Sequence, residues 1–311
     1  MIIEVAKKNI LITGAAGFIG SSLATRLLEL NEYFIVMVDN LSTGVQSNLP
    51  KGEHCLFINC DVNDTHLFSS LMNDFEFEYI FHYAAVVGVN RTIQNPKLVI
   101  DDIIGFQNVF SLAKKCKVKR VFLSSSSEIY GEPVHLPLNE YETPLNSRLP
   151  YAVVKNVGEC FCRTYLQEYG IDYTILRFFN TYGAKQSPDF VISKFINQAI
   201  KGSPLTIYGD GSQTRTFCYI EDNVDFTVLL LQGNLLINEV VNVGSDVIVT
   251  IKELAELIIE LTGSKSTIKY QPPLKEGDMT RRQPDISKMK AHFSRDLTEL
   301  RAGISKILEQ K

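Results

Sequence analysis

The segment Thr13–Gly20 (TGAAGFIG) constrains this chain more than any other stretch. It follows KNILI, an apolar run that reads as a buried parallel strand. It leads into FIGSSLATRLLEL, where Phe18, Leu23, Leu27 and Leu30 recur at helical spacing. Gly14, Gly17 and Gly20 therefore fall on a strand-to-helix turn. Glycine there permits a tight turn, close approach of a pyrophosphate to the backbone, and close packing of helix on strand. The unpaired N–H groups at the start of the helix then face the anion. The next strand, YFIVMVD, ends in Asp39, about twenty residues beyond the glycines. A carboxylate at that point accepts hydrogen bonds from a ribose 2′-OH and repels a 2′-phosphate. Strand, glycines, helix, strand and terminal acid in this order predict a dinucleotide site that takes NAD rather than NADP.

Composition narrows the class. A chain of 311 residues has room for a large core and two lobes, and 45% hydrophobic content is that of an ordinary soluble globular protein. A net charge of −4 gives no electrostatic footprint for nucleic acid or an anionic membrane. No apolar run reaches the length of a membrane span, and MIIEVAKKN lacks a signal-peptide core. The six cysteines show neither CxxC nor a metal-ligand spacing with histidine. They are expected to be free buried thiols in a reducing cytoplasm, with no metal site.

Beyond Asp39 the strand–helix alternation continues. NLSTG, with Asn40, Ser42 and Gly44, is a loop suited to cover an adenosine. HCLFINC ends at Asp61 and Val62, an adenine contact, and YIFHYAA ends at Ala84 and Ala85, small enough for backbone to lie against a cofactor. The loop VVGVNRTIQNP precedes a helix through Asn108 and Leu112. KRVFLSSSS then delivers Ser124, Ser125, Ser126 and Ser127, followed by Glu128. Ligands of parallel α/β sheets sit beyond the carboxyl ends of the strands, so these clusters converge on one edge. A proline-rich loop leads to Tyr151 and a helix to Gly170, and DYTILRFFN ends at Asn180. From about Ser187 the alternation weakens into DFVISKFINQAIKG (helix), LTIYG (strand), the polar turn DGSQTRTFCYI and a helix from Glu221. NEVVNVG reads as a strand returning to the main sheet, and Thr250 and Glu253 form a capping box on a helix that stops at Gly263. The strand TIKYQP, the loop KEGDMTRRQPDISK and an amphipathic helix close the chain. The expected fold is α/β: a Rossmann-type doubly wound parallel sheet over residues 1–180, with a return strand near 239–244. A smaller C-terminal α/β lobe, mainly 181–311, binds substrate and closes the cleft.

Tyr151 and Lys155 stand one turn apart on one helix face, so both side chains reach one spot. A free tyrosine titrates near 10, too high for a base at neutral pH. A neighbouring ammonium and the positive nicotinamide ring favour the phenolate. Tyr151 then takes a proton from a substrate hydroxyl while the same carbon is oxidised, and Ser126 is the natural hydrogen-bond partner of that hydroxyl.

TGAAGFIG, DNLSTG, HYAA, SSSSEIYG, YAVVK, RFFNTYG, YGDGSQTRTFCYIED and RRQPDIS together resemble the extended short-chain dehydrogenases/reductases of the NAD-dependent epimerase/dehydratase family, over nearly the whole chain. The resemblance implies tightly held NAD, oxidation of a nucleotide-linked sugar at C4, a transient 4-keto intermediate and reduction by the same cofactor. It implies Ser126, Tyr151 and Lys155 as catalytic residues, and adds Phe18, Ile19 and Ser124 to the cofactor contacts. It further implies substrate contacts at Ser127, Asn180, Val191, Lys194, Thr206, Tyr208, Arg215 and an arginine of the tail, and a homodimer formed by helices near 107–116 and 155–169. Ser127-Glu128, with Arg282 before Gln-Pro-Asp-Ile, resembles the UDP-glucuronate decarboxylases, which makes Glu128 a further catalytic candidate. DNLSTG resembles the 4-epimerases, although Lys275 stands where their pattern has arginine. VNRTI resembles the 4,6-dehydratases, but their Asp-Glu pair is Ser127-Glu128 here, which disfavours dehydration. A non-catalytic NAD-binding regulator is the alternative from another class. Asp102 stands where the family usually has asparagine, and AHFSRD replaces its LGW.

Overall fold

The computed structural model describes residues 7–273 and 281–311; MIIEVA and Lys275 with its KEGD neighbours lie outside the described residues. The strands are β1 (Lys8–Thr13), β2 (Tyr33–Asp39), β3 (Cys55–Asn59), β4 (Tyr79–His82), β5 (Arg120–Ser126), β6 (Asp172–Phe178), β7 (Thr181–Tyr182), β8 (Leu205–Tyr208), β9 (Thr214–Arg215), β10 (Cys218–Tyr219), β11 (Glu239–Val243), β12 (Val249–Thr250) and β13 (Ile268–Gln271). The helices are α1 (Phe18–Glu29), α2 (Thr65–Met72), α3 (Val89–Gln94), α4 (Pro96–Lys115), α5 (Pro150–Tyr169), α6 (Val191–Ile200), α7 (Ile220–Gln232), α8 (Ile251–Thr262), α9 (Ser287–His292) and α10 (Leu300–Glu309). They gather into two compact units. The first comprises Met1–Ser126, Pro150–Leu176 and Val224–Val240, and the second Ser127–Leu149, Arg177–Asn223 and Val241–Lys311.

The first unit is built on a seven-stranded sheet in the order β3-β2-β1-β4-β5-β6-β11. β1 runs parallel to both β2 and β4, with β3 and β5 parallel outside them. The chain therefore winds outward from β1 in both directions, which opens a crevice at the carboxyl ends where the order reverses. β1 and β2 carry apolar cores because helices cover both faces: Ile10, Leu11, Ile12, Ile35, Val36 and Val38 are fully buried. α4 and α5 lie side by side and interlock through Phe106, Phe110, Phe161 and Tyr165, whose ring centroids stand 5.1–6.1 Å apart. Inside the sheet, Arg120 donates to Thr174 Oγ1 and to the carbonyls of Leu230 and Leu235, so its buried charge spends its donors on oxygen.

The second unit uses short pairings: β7 with β10, β9 with β12, and β8 with β13. Thr250 caps α8 reciprocally with Glu253, and Gly263 ends the helix at φ 59°. Arg177 ties the segment after β5 in place, donating to Tyr130 Oη at 2.8 Å and Glu140 O at 3.1 Å. Tyr130 in turn donates to Asn242 Oδ1 at 2.7 Å.

Two expectations are corrected. The stretch between Ala85 and Pro96 is not all loop, since Val89–Gln94 is helical. No breaker interrupts those residues between Gly88 and the Asn95-Pro96 step, and Asn95, extended at φ −130° before proline, ends the helix. Likewise DGSQTRTFCYI is not only a turn. It holds β9 and β10, whose partners lie far away in the chain.

Candidate active site

The dinucleotide cradle occupies the carboxyl edge of the first unit. Gly14 turns the chain at φ +68°, and a Cβ there would stand 2.6 Å from Ala84 N, so the backbones of the β1 and β4 ends touch. At Gly17 a Cβ would meet only Gly14 O, at 3.1 Å, which leaves this face open to an anion. α1 begins there with no side-chain cap and no acidic residue in its first turn, which leaves the N–H groups of Phe18 and Ile19 for a phosphate. Asp39 is buried where β2 ends. Its carboxylate accepts from Ala16 N at 2.9 Å and Leu41 N at 2.8 Å, which points it along the glycine turn, and Gly44 packs against it. Asn40 donates to Asp61 Oδ2 at 2.9 Å and its own Oδ1 accepts from Ser42 N, so the β2 and β3 ends form one surface. Val62 is buried beside it, its carbonyl taken by Asn108 Nδ2 at 2.7 Å. Open glycine face, uncapped helix start and ribose-level carboxylate fit NAD.

The catalytic candidates Ser126, Tyr151 and Lys155 stand on the same unit. Lys155, only 3% exposed, donates to Ser124 O at 2.8 Å and Ser124 Oγ at 3.2 Å. Its ammonium lies 5.8 Å from the centre of the Tyr151 ring. Burial pulls Lys155 down to about 8, with the charge of Asp102 opposing. Ser126 is buried at the last position of β5. Thr13 and His82, absent from the sequence-based site, form a buried hydrogen bond of 2.7 Å (Thr13 Oγ1 to His82 Nδ1) beneath Ala84. Burial, followed by the charge of Lys155, pulls His82 down to about 3, so this imidazole is neutral.

The remaining candidates lie in the second unit, in three groups. Ser127 and Glu128 open a 3-10 turn directly after β5, and Arg282 meets them. Its Nη2 lies 2.9 Å from Glu128 Oε1, its Nη1 3.4 Å from Ser127 Oγ, and the side chains of Arg282 and Glu128 are only 7% and 18% exposed. Arg282 Nε is buried without a hydrogen-bond partner among the described residues. Asn180, left-handed at φ 35°, donates to Thr216 O at 2.9 Å, next to the buried Arg215. Val191 and Lys194 start α6, and the Lys194 ammonium lies 5.0 Å over the Tyr208 ring. Thr206 is two residues from Tyr208 on β8 and bonds Gln198 of α6.

A family model, described as the NAD dependent epimerase/dehydratase family, matches residues 10–244. The chain belongs to this family. Like the family, this epimerase/dehydratase is an enzyme whose cofactor is NAD. It is 37% identical to UDP-glucuronic acid decarboxylase 3 of Arabidopsis thaliana, across 91% of this chain and 82% of the plant protein. The crystal structure of a UDP-glucose 4-epimerase with UDP-glucose from Thermotoga maritima superposes with a TM-score of 0.90 at 32% identity, over 97% of each chain. A UDP-glucuronic acid 4-epimerase variant of Bacillus cereus, in complex with a 4-deoxy-4-fluoro analogue of UDP-glucuronic acid and NAD, reaches 0.88 at 29%, over 97% of this chain and 99% of that one. Among the described residues no cluster suits a metal ion and no helix is long and apolar enough to cross a membrane. All six cysteines are free, but the expectation of burial is corrected: Cys60, Cys162 and Cys218 are buried, Cys55 and Cys116 half-buried, and Cys160 is exposed, on the side of α5 turned to solvent.

Proposed function

We propose that this epimerase/dehydratase acts on a UDP-sugar by transient oxidation at C4, and that its substrate is UDP-glucuronate, decarboxylated after that oxidation. The observation that carries the choice is the Arg282–Glu128–Ser127 cluster, a buried cation–carboxylate pair whose Arg282 Nε has no partner among the described residues. NAD held at the glycine turn and the β2–β3 edge would supply a hydride acceptor at C4 and the donor for the reverse step. Tyr151 takes the proton of the C4 hydroxyl, Lys155 keeps the phenolate favourable, and Ser126 orients the hydroxyl. The 4-keto sugar acid is a β-keto acid, so the C5–C6 bond breaks to release CO₂ and its electron pair passes to the C4 oxygen as an enolate. A proton taken up at C5 from solvent restores the C4 ketone, which is then reduced while Tyr151 returns its proton to the C4 oxygen. Glu128 and Arg282 act on the substrate at this stage, the arginine as a planar cation for an anionic oxygen. Asn180, Arg215, Val191, Lys194, Thr206 and Tyr208 hold the nucleotide sugar, and the cofactor contacts are those of the glycine turn, the β2–β3 edge, Ala84, Ala85 and Ser124.

A second reading, 4-epimerisation, is favoured by DNLSTG and by the likeness to a UDP-glucose 4-epimerase along the whole chain. Incubating the protein separately with UDP-glucuronate, UDP-glucose and UDP-N-acetylglucosamine, and reading products by mass and proton NMR, decides between them. Loss of CO₂ supports the first reading, and unchanged mass with inverted C4 supports the second. We further propose a homodimer through the helices near 107–116 and 155–169, within α4 and α5, and residence in a reducing cytoplasm, in keeping with free cysteines.

A further inference from the structure

Lys155 is a buried cation whose hydrogen-bond acceptors, Ser124 O and Oγ, are both neutral. Water is largely excluded, so the ammonium needs a counter-charge to stay protonated. The packing of α4 on α5 supplies one. Both helices return from the carboxyl to the amino edge of the sheet and so run parallel. They touch at Gly158, where a Cβ would come within 2.7 Å of the Phe106 ring. About one helical turn earlier on each stand Asp102 and Lys155, at one level on facing sides. Asp102 Oδ2 also accepts from Val86 N at 2.8 Å, in the loop that leaves β4, which orients the carboxylate.

We propose that Asp102 is the counter-ion of Lys155, a positioning residue that acts on Tyr151 by keeping the Lys155 ammonium protonated. The inference rests on the assignment of Tyr151 as the base. The groups facing the pair are few. Lys155 bonds Ser124 from β5, lies 5.8 Å from the Tyr151 ring on its own helix, and feels the charge of Asp102 from α4 without an ion pair within 4.0 Å; His82 from β4, which it influences, is neutral. Asp102 meets Val86 N, the Asn63 side chain, the charge of Lys155 and the repelling charge of Asp61. The two charged groups respond reciprocally: burial lowers Lys155 and raises Asp102, and each opposes the shift of the other. An asparagine would accept from Val86 N equally well, so a carboxylate solely for that bond is unnecessary. What the carboxylate adds is charge.

Asp102→Asn therefore keeps the shape and the Val86 bond while removing the charge. The protein is labelled with ¹³C at lysine Cε, and the Lys155 signal is identified by its loss in Lys155→Met. The expected result is a Lys155 midpoint at least about one pH unit lower in Asp102→Asn, a tenfold fall in the ratio of ammonium to amine. Asp102→Ser repeats the comparison if the amide variant does not fold. A midpoint that stays in place overturns the proposal. In the active enzyme the alkaline limb of kcat/KM moves to lower pH along with that midpoint, and a limb that stays put while kcat falls uniformly overturns the catalytic part. The titration needs no turnover. If no UDP-sugar is converted, the functional reading fails while the NMR titration still decides the role of Asp102.

Discussion

Arg282→Ala probes the second unit most directly, because its cost depends on whether the pair with Glu128 is internal. The two side chains are 7% and 18% exposed and in contact at 2.9 Å. Removing one partner of a fully buried pair costs about 3–5 kcal/mol, since the other charge is left without water or counter-ion. Glu128 keeps some access to solvent, so a loss at or just below the lower end, about 2–3 kcal/mol, is expected. An exposed pair would cost less than about 1 kcal/mol. The two scales are far enough apart to measure. Urea unfolding of wild type, Arg282→Ala, Glu128→Leu and the double variant is followed by circular dichroism, since the chain has no tryptophan. The double variant should recover much of the loss, giving a coupling energy of about 2 kcal/mol. Turnover should disappear in both single variants and not return in the double. A coupling below about 0.5 kcal/mol would refute the reasoning, because the pair would then behave as a solvated one.

Tyr151→Phe should retain NAD, read from the absorbance of the released cofactor, and lose about 10²–10⁴-fold in turnover as the general base is removed. Full activity in that variant would remove the mechanism. Gly14→Ala sets a Cβ 2.6 Å from Ala84 N at a left-handed backbone position. Strain of about 1–3 kcal/mol plus the overlap should lower the melting temperature and weaken NAD binding together. His82 titrates near 6.5 when unfolded and at about 3 in the fold, so the unfolded chain binds the extra proton between those values. Stability from keeping it neutral is complete above about pH 6.5 and declines toward pH 3, by up to about 1.4 kcal/mol per unit. His82→Asn should flatten that slope, and urea midpoints measured across the window check it.

The main sheet could be read from the chain because its strands are continuous apolar runs and its turns carry local signals. The same holds for the glycine turn, Asp39 and the Thr250–Glu253 cap, all of which rest on spacings of a few residues. β9 and β12 escaped notice because they exist only as partners: Val249 lies opposite Arg215 and Thr250 opposite Thr214, and neither two-residue stretch shows alternation of its own. The Thr13–His82 bond joins residues 69 apart, each of which is an unremarked polar residue at the end of an apolar run.

Asp101-Asp102 shows why neighbouring charges in one helix resist reading by composition. Asp101 pairs with Lys97 at 3.2 Å, one turn back along the surface of α4, as a helical charge ordinarily does. Asp102 turns about 100° further round the helix axis and accepts from Val86 N instead. Nothing in the pair of letters distinguishes them. The distinction comes from Phe106, four residues on, whose seat against Gly158 sets which side of α4 faces inward. Glu128 and Arg282 present the same difficulty across 154 residues of chain, because Arg281 beside Arg282 is an equal candidate by type. The bridge of Arg281 to Thr214 and the bond of Leu138 N to Gln283 O fix the register of the tail, and that register turns Arg282 rather than its neighbour toward Glu128. The direction each charge faces is therefore set by helix packing at Asp102 and by backbone pairing at Arg282, and a substitution that shifted either would move the charge without changing the residue that carries it.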